Sequence, residues 1–423
     1  MIGWFPVVLM IVLLVWWPTL NLLLAVFSWR VPASVTEHDE NEPFSFFIVI
    51  PTLNEERVIA STVDHALALG SPETPVRVLV IDDDSDDDTR AILAGITDPR
   101  LHVIHREPPR ARIGKGDSLN QACGYILSHT ELDPARTVVG VLDGDGRGSP
   151  DMLGEVTNML RDETIGAVQC GIRIQNRESV LALLQDLEFG VMMDSVQLLR
   201  DLLGSVGLGG NGQFIRLSVL ASYSWSDSLV EDYEFALRLH LDGVRVRYTN
   251  SARVGQQGLP DVPRLLRQRA RWAQGNLQCA HHVPSLVRSR AVSNPALLDF
   301  LLALIMPWAT VPMSVVFSGL VALSVVTTTA ATTGNVLTAA PAIALASVTW
   351  LFLLFLPGLV WGLVHRLRLG DEPLRRCMLA GLCYPGFLLC GVFATWRAMF
   401  RRLTRRNSWA KTDRVPDRPV VAE

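Results

Sequence analysis

The sequence predicts an α/β domain with a mostly parallel sheet, flanked by transmembrane and interfacial helices. Short β-branched runs alternate with helical patterns, each run closed by polar or turn residues, which marks strand–helix–strand units. Long apolar stretches bracket this region. Acidic residues stand where the strands end, the edge at which parallel sheets bind ligands.

The elements follow in order. Residues 1–29 are apolar, without a charge until Arg30, and long enough to span a hydrocarbon layer of roughly 30 Å with some tilt. A cleaved signal peptide is the other reading. It lacks a basic n-region and a small-residue cleavage site here, and Trp16, Trp17 and Trp29 suit an interfacial anchor. Residues 30–294 carry the α/β pattern. Phe46–Pro51, Arg77–Asp82 and Val138–Asp143 read as strands, with helices over Glu55–Leu69 and Ser118–Ser128. Residues 295–396 hold two long apolar stretches, Pro295–Val326 and Val336–Val364, joined by a Thr/Ala-rich link, and a shorter one, Cys377–Thr395. The linker His365–Arg376 and the tail at 397–423 are rich in arginine. Such segments favour the cytoplasmic side, as the large domain should. Three C-terminal crossings would put the tail outside, so Cys377–Thr395, with its Gly and Pro, is expected to be interfacial or re-entrant. This predicts a multi-pass protein of the cell membrane with its large domain in the cytoplasm.

Net charge is only −4, with 38 basic against 42 acidic residues, which gives no sign of a nucleic-acid partner. The six cysteines are scattered, without a CxxC pair or zinc-finger spacing, and read as reduced packing residues.

Four constellations carry chemistry. Pro51-Thr-Leu-Asn-Glu-Glu56 closes the first strand. Asp82 to Asp88 follows the second. Asp143-Gly-Asp145 follows a later strand, and Glu231-Asp232 precedes Gln268, Arg271 and Trp272. Two carboxylates one residue apart, beside Gly144 and Gly146, can turn their oxygens to one hard cation, Mg²⁺ or Mn²⁺. A solvated acidic turn is the plainer reading of such a pair. The Asp82–Asp88 run is not a calcium loop, because Asp87 replaces the required Gly and Leu93 the required Glu. One or two of its acids can accept hydrogen bonds from a base or ribose while the rest face water. Lys115, between Gly114 and Gly116, offers a flexible ammonium to a diphosphate. Asp232 is the candidate general base, although Glu231 and Asp232 would also suit the positive end of a helix over Tyr233–Leu241. If Val262–Leu277 is helical, Gln268, Arg271 and Trp272 lie within about one turn. They offer a hydroxyl partner, a phosphate fork and a stacking face. An amphipathic interfacial helix would show the same mixture.

Taken together these residues resemble the inverting GT-A glycosyltransferases of family 2. The match is nearest the membrane-integrated branch of cellulose, chitin, hyaluronan and poly-N-acetylglucosamine synthases. Its signature of D, DxD, an acidic-Asp pair and QxxRW is met by Asp83 with Asp82, Asp143 and Asp145, Glu231-Asp232, and Gln268, Arg271 and Trp272. The resemblance implies a Rossmann-like sheet and a nucleotide-sugar donor, UDP rather than GDP. Thr52, Asn54, Glu55, Asp82 and Asp83 would lie around the nucleoside, with Lys115, Asp143 and Arg271 near the diphosphate. Asp143 and Asp145 would hold Mg²⁺ or Mn²⁺, and Asp232 would be the base. Glu231, Gln268 and Trp272 would meet the acceptor. Trp409, Lys411, Thr412 and Arg414 resemble a gating segment. The stretch Gly209-Gly-Asn-Gly-Gln213 departs from the usual acceptor motif, and only Asn211 and Gln213 there are assigned to acceptor contact.

Two activities fit: extension of a β-linked polysaccharide, processive with export, or single addition to a membrane lipid acceptor. The complete QxxRW and the gate-like tail favour the polymer. The partners expected are therefore a nucleotide sugar, a glycan or lipid-linked acceptor, and the bilayer. A non-enzymatic transporter fits poorly, since the apolar helices hold almost no ionisable residues.

Overall fold

The computed structural model describes residues 19–29, 43–129 and 131–404. Trp409, Lys411, Thr412 and Arg414 lie outside the described residues, as do residues 1–18 of the N-terminal stretch.

An eight-stranded sheet in the order β3-β2-β1-β4-β7-β6-β8-β5 organises the catalytic region. Strands β1 (Ser45–Thr52), β2 (Val76–Asp82), β3 (Leu101–His105) and β4 (Thr137–Val141) pair in parallel. Strand β7 (Gln213–Arg216) runs antiparallel to β4 and to β6 (Ile165–Ile174), and β6 is parallel to β8 (Arg245–Gln256). The short β5 (Arg147–Gly148) closes the far edge. The α/β architecture expected from the sequence is present, with two antiparallel exceptions, β7 in the centre and the short β5 at the edge.

Both faces of the sheet are covered, which explains the near-continuous apolar strands. Along β1, Phe46, Ile48 and Ile50 face α2 (Ile59–Ala68) and α5 (Met152–Leu160). Phe47 and Val49 face α4 (Lys115–Leu127) and α9 (Glu231–Leu241) on the other side. Two helix starts differ from expectation. Helix α2 begins at Ile59 rather than Glu55; in the turn before it, the Glu55 and Glu56 amides donate to Thr89 Oγ1 and Asp87 Oδ2. Asn54, just ahead of that turn, has φ of 52°, a left-handed conformation. Helix α4 begins earlier, at Lys115.

The C-terminal elements form a hairpin. Helix α12 (Asn294–Arg368) runs helical through the Thr/Ala-rich link, since Ala is the best helix former and Thr only a mild breaker. Gly370, at φ 74°, turns the chain into α13 (Leu374–Leu403). The two helices meet backbone to backbone. A Cβ on Gly358 would lie 2.1 Å from the Gly381 carbonyl oxygen, and one on Gly362 2.5 Å from that of Cys377. Such close approach by small residues is a packing mode of membrane helices. Among the described residues two segments, Leu351–Arg368 and Leu374–Leu403, are long and apolar enough to cross a membrane. Both ends of α13 touch the catalytic domain. Arg376 donates to the carbonyls of Arg177 and Glu178, and Arg401 Nε to Gln274 Oε1 at 2.9 Å. Helix α13 therefore lies along the domain surface. Helix α1 (19–27) docks on the same assembly through Trp361 Nε1, which donates to Asn21 Oδ1 at 2.7 Å. All six cysteines are free thiols.

Candidate active site

A cleft of about 390 Å³ opens beyond the carboxyl ends of β1, β2 and β4, within the range of small-molecule sites. Five of its side chains come from strand ends, the loops after them or a helix start: Thr52 at the end of β1, Glu55 after it, Asp83 after β2, Asp143 after β4, and Lys115 at the start of α4. The N-terminus of α9 brings Glu231 and Asp232 to the same cleft. Helix α10 (Val262–Cys279) closes it with Gln268, Arg271 and Trp272. Carboxylates far apart in the chain thus share one cavity.

Lys115 sits at its centre. Its Nζ donates to Asp143 Oδ1 at 2.5 Å and to the Gly210 carbonyl at 2.7 Å. Burial works against the ammonium, but Asp143 and Glu231 outweigh it and hold its pKa above the ordinary lysine value. Gly210 is required by this approach. A Cβ there would lie 2.7 Å from Lys115 Nζ and 3.2 Å from Asp232 Oδ2. Burial raises the pKa of Glu231 and Asp232 at the start of α9, and a neighbouring carboxylate adds to it, Asp232 for Glu231 and Asp143 for Asp232. Glu231 is pushed up to about 7, and Asp232 also lies above its ordinary value despite Lys115 and the Tyr233 N–H.

The turn at Asp143–Gly146 is tightly braced. Asn211 Oδ1 accepts from the Asp143 amide, and Asn211 Nδ2 donates to Gln256 Oε1. Thr62 Oγ1 donates to the Gly144 carbonyl at 2.7 Å, and Glu55 packs against Gly144, where a Cβ would lie 2.8 Å from Glu55 Cγ. Asp145 is buried behind the cleft, with Oδ2 accepting from the Gln257 amide at 2.8 Å. The oxygen-only donors of Asp143 and Asp145 suit a hard divalent ion. Lys115 Nζ places a positive charge on Asp143 beside this turn.

Four expected site residues do not line the cleft: Asn54, Asp82, Asp145 and Gln213. Asp82 is fully buried and accepts from Arg90 Nε at 2.8 Å, His105 Nδ1 at 2.9 Å and the Ser85 amide. Asn54 ties the two acidic loops together through Asp86. Gln213 lies under the sheet face with no solvent exposure. Asp83, by contrast, lines the cleft, with Arg106 Nη1 and the Arg112 amide on its Oδ1.

Other cleft residues went unread. Phe189 meets Trp272 edge to face at 6.1 Å, and Arg269 stacks 4.5 Å over the Trp272 ring while pairing with half-buried Glu188. Phe189 belongs to a π-helical turn, Glu188–Met193, between α6 (Val180–Leu187) and α7 (Asp194–Leu203). No motif marks it. The fact that π-turns gather at functional sites could have flagged it only once the helix was seen. A second cavity, about 240 Å³, adjoins the first, sharing Ile172, Phe189, Leu208, Gly209 and Tyr233 with it and adding Met193.

This geometry can be set against known proteins. The family described as "Glycosyltransferase like family 2" matches residues 43–275. The chain belongs to glycosyltransferase family 2. A β-monoglucosyldiacylglycerol synthase of Trichormus variabilis is 33% identical over 237 residues, 55% of this chain and 48% of the relative. A poly-β-1,6-N-acetyl-D-glucosamine synthase of Staphylococcus aureus is 26% identical over 244 residues, 56% of this chain and 55% of the relative. The chain spans about half the length of the curated relatives it matches. A mannosyltransferase from Pyrobaculum calidifontis, solved with GDP-Man and Mn²⁺, shares the fold at a TM-score of 0.59 and 18% identity. That likeness covers 95% of this chain and 99% of the other. The domain of this family 2 glycosyltransferase is thus a GT-A fold, as the motifs implied.

Proposed function

We propose that this glycosyltransferase moves a hexosyl unit, with inversion, from a nucleoside diphosphate sugar to the hydroxyl of a membrane lipid. One observation supports the lipid over the polymer favoured by the motifs. Beside the cleft, across the shared walls Phe189 and Leu208, lies a second cavity with a mainly apolar surface, faced by Ile172 and Met193 and rimmed by Asp194, Gln197 and Arg200. A mainly apolar neighbouring cavity suits an acyl-bearing acceptor better than a hydrated glycan. The 33% likeness to a glucosyldiacylglycerol synthase is consistent with this reading.

In this reading Thr52, Glu55 and Asp83 bind the nucleoside, while Lys115 and Arg271 flank the diphosphate. Asp143 and Asp145 would hold Mg²⁺ or Mn²⁺, which when bound neutralises charge on the departing diphosphate. Asp232 takes the proton from the acceptor hydroxyl as its oxygen attacks the anomeric carbon, on the face opposite the leaving group. The raised pKa of Asp232 makes it a stronger base than a solvated aspartate. Trp272 offers its ring to a sugar and Gln268 its amide to hydroxyls. Asn211 acts indirectly, by holding the Asp143 turn. The protein would work at a membrane surface, with α12 and α13 bringing the cleft to the lipid.

The test is product size. Detergent-purified enzyme given labelled UDP-glucose, diacylglycerol and Mg²⁺ or Mn²⁺ should yield one glycolipid species, and none with excess chelator. A ladder of soluble oligosaccharides without lipid would replace this reading with polymer synthesis.

A further inference from the structure

We infer that Glu234, His281 and His282 form a second divalent-cation site, of the zinc class, outside the catalytic cleft. His281 and His282 lie in the 3₁₀ turn Ala280–His282 that ends α10, and Glu234 lies on α9, two residues past Asp232. One ligand atom from each falls within 4.8 Å of the others. Glu234 Oε1 is 3.1 Å from His282 Nε2 and 3.8 Å from His281 Nε2. Ligands at zinc bond lengths of about 2.0–2.1 Å stand about 3.3 Å apart on a tetrahedral edge, so these separations need little adjustment.

The surroundings orient the donors. His281 Nδ1 is 2.8 Å from the Gln278 carbonyl. That contact makes Nδ1 the protonated nitrogen and leaves the Nε2 lone pair toward Glu234. Ser226 Oγ donates to Glu234 Oε2 at 2.6 Å, which leaves Oε1 toward the two imidazoles. Outer partners of this kind, a carbonyl behind a histidine and a hydroxyl behind a carboxylate, accompany metal sites. Two imidazoles and a carboxylate prefer zinc to magnesium. His281 is 63% exposed at its side chain, so the ion has an open path and a free fourth position for water.

The site's place in the fold gives it consequence. It joins α9, which presents Glu231 and Asp232, to the end of α10, which presents Arg271 and Trp272. An ion there cross-links the two helices that bring the acid pair and the QxxRW group to the cleft.

The experiment uses the full chain in detergent, with Zn²⁺ and Co²⁺ as probes, in millimolar Mg²⁺ to occupy oxygen-only sites. The unaltered protein should bind one equivalent of Zn²⁺, give visible Co²⁺ bands typical of tetrahedral nitrogen–oxygen coordination, and melt higher with Zn²⁺. His281→Ala changes an exposed ring and leaves the Glu234–His282 pair in place, so it should fold yet lose the bands and the thermal shift. Ser226→Ala should weaken zinc about 10–100-fold. Absence of zinc binding in the unaltered chain, or equal binding in folded His281→Ala, would overturn the proposal.

Discussion

At the scale of single residues, the cleft depends on how burial and neighbouring charge set the acids of α9. Asp232 lies in a cleft where desolvation raises its pKa and Lys115 opposes that rise. Asp232→Asn keeps the shape but removes the proton acceptor, and we expect turnover to fall by about 10²–10⁴-fold, the usual contribution of a positioned base. Donor binding should persist, and isothermal titration with the nucleotide sugar would reveal it. If binding were lost as well, Asp232 would be a donor-site residue instead. The pH dependence carries a sign. A base must be ionised, and burial lifts Asp232 above the ordinary aspartate value, as it lifts its neighbour Glu231. The acidic limb of kcat/KM should therefore lie above the ordinary aspartate value of about 3.9, and a limb at or below that value would contradict the burial of the pair. The sequence made these residues legible because a base, a metal pair and a phosphate ligand need particular side chains. It did not show that Asp82 is occupied by Arg90 and His105, since those partners come from α3 (Thr89–Ala94) and β3. Register, not composition, brings them there.

At the scale of elements, β1, β2 and β4 were readable from their β-branched runs, and α10 begins at Val262 as expected, whereas the starts of α2 and α4 were missed. The turn ahead of α2 is held by amides of Glu55 and Glu56 that bond to Thr89 and Asp87, more than thirty residues away in sequence. The α12–α13 hairpin was equally hidden, because apolar stretches do not announce which glycines touch. Gly358 and Gly381 approach so closely that any side chain meets backbone, with a Cβ on Gly381 only 2.4 Å from the Gly358 carbonyl. Gly358→Val should force the helices apart. Overpacking typically costs about 1–3 kcal/mol, and the rigid backbone contact puts this site at the upper end. A lower thermal midpoint in detergent is the measurement, and Gly319→Val on the same helix, where a Cβ meets nothing within 4 Å, is the control. Equal midpoints for the two variants would show that the contact contributes nothing.

At the scale of the whole molecule, one polar cluster fastens the C-terminal hairpin to the catalytic domain. Asp186, on α6, has no solvent exposure and accepts from Arg173, Arg177, His365 Nε2 at 2.8 Å and the Ile174 amide. Arg173 and Arg177 also hold Asp371 in the turn between α12 and α13, and Arg368 pairs with Asp194 nearby. Burial alone would raise the Asp186 pKa, but the hydrogen bonds from His365 and Arg173 hold it well below the ordinary carboxylate range. The stability this contributes is present above the unfolded value of about 3.9 and is lost only as pH falls below it. At neutral pH it is fully in place. Asp186→Ala would strand the buried His365 and leave Arg173 and Arg177 short of a partner. Removing one member of a buried charged network typically costs about 3–5 kcal/mol. Because α13 packs along α10, which carries Gln268 and Trp272, the loosened hairpin should raise the KM for acceptor more than that for donor. Thermal melting and steady-state kinetics on the two substrates separate these effects. A lowered midpoint with both KM values unchanged would mean that the cluster fastens the hairpin without aligning the acceptor side of the cleft. An unchanged midpoint would mean that the hairpin is held by its apolar packing against α6 and α10 instead.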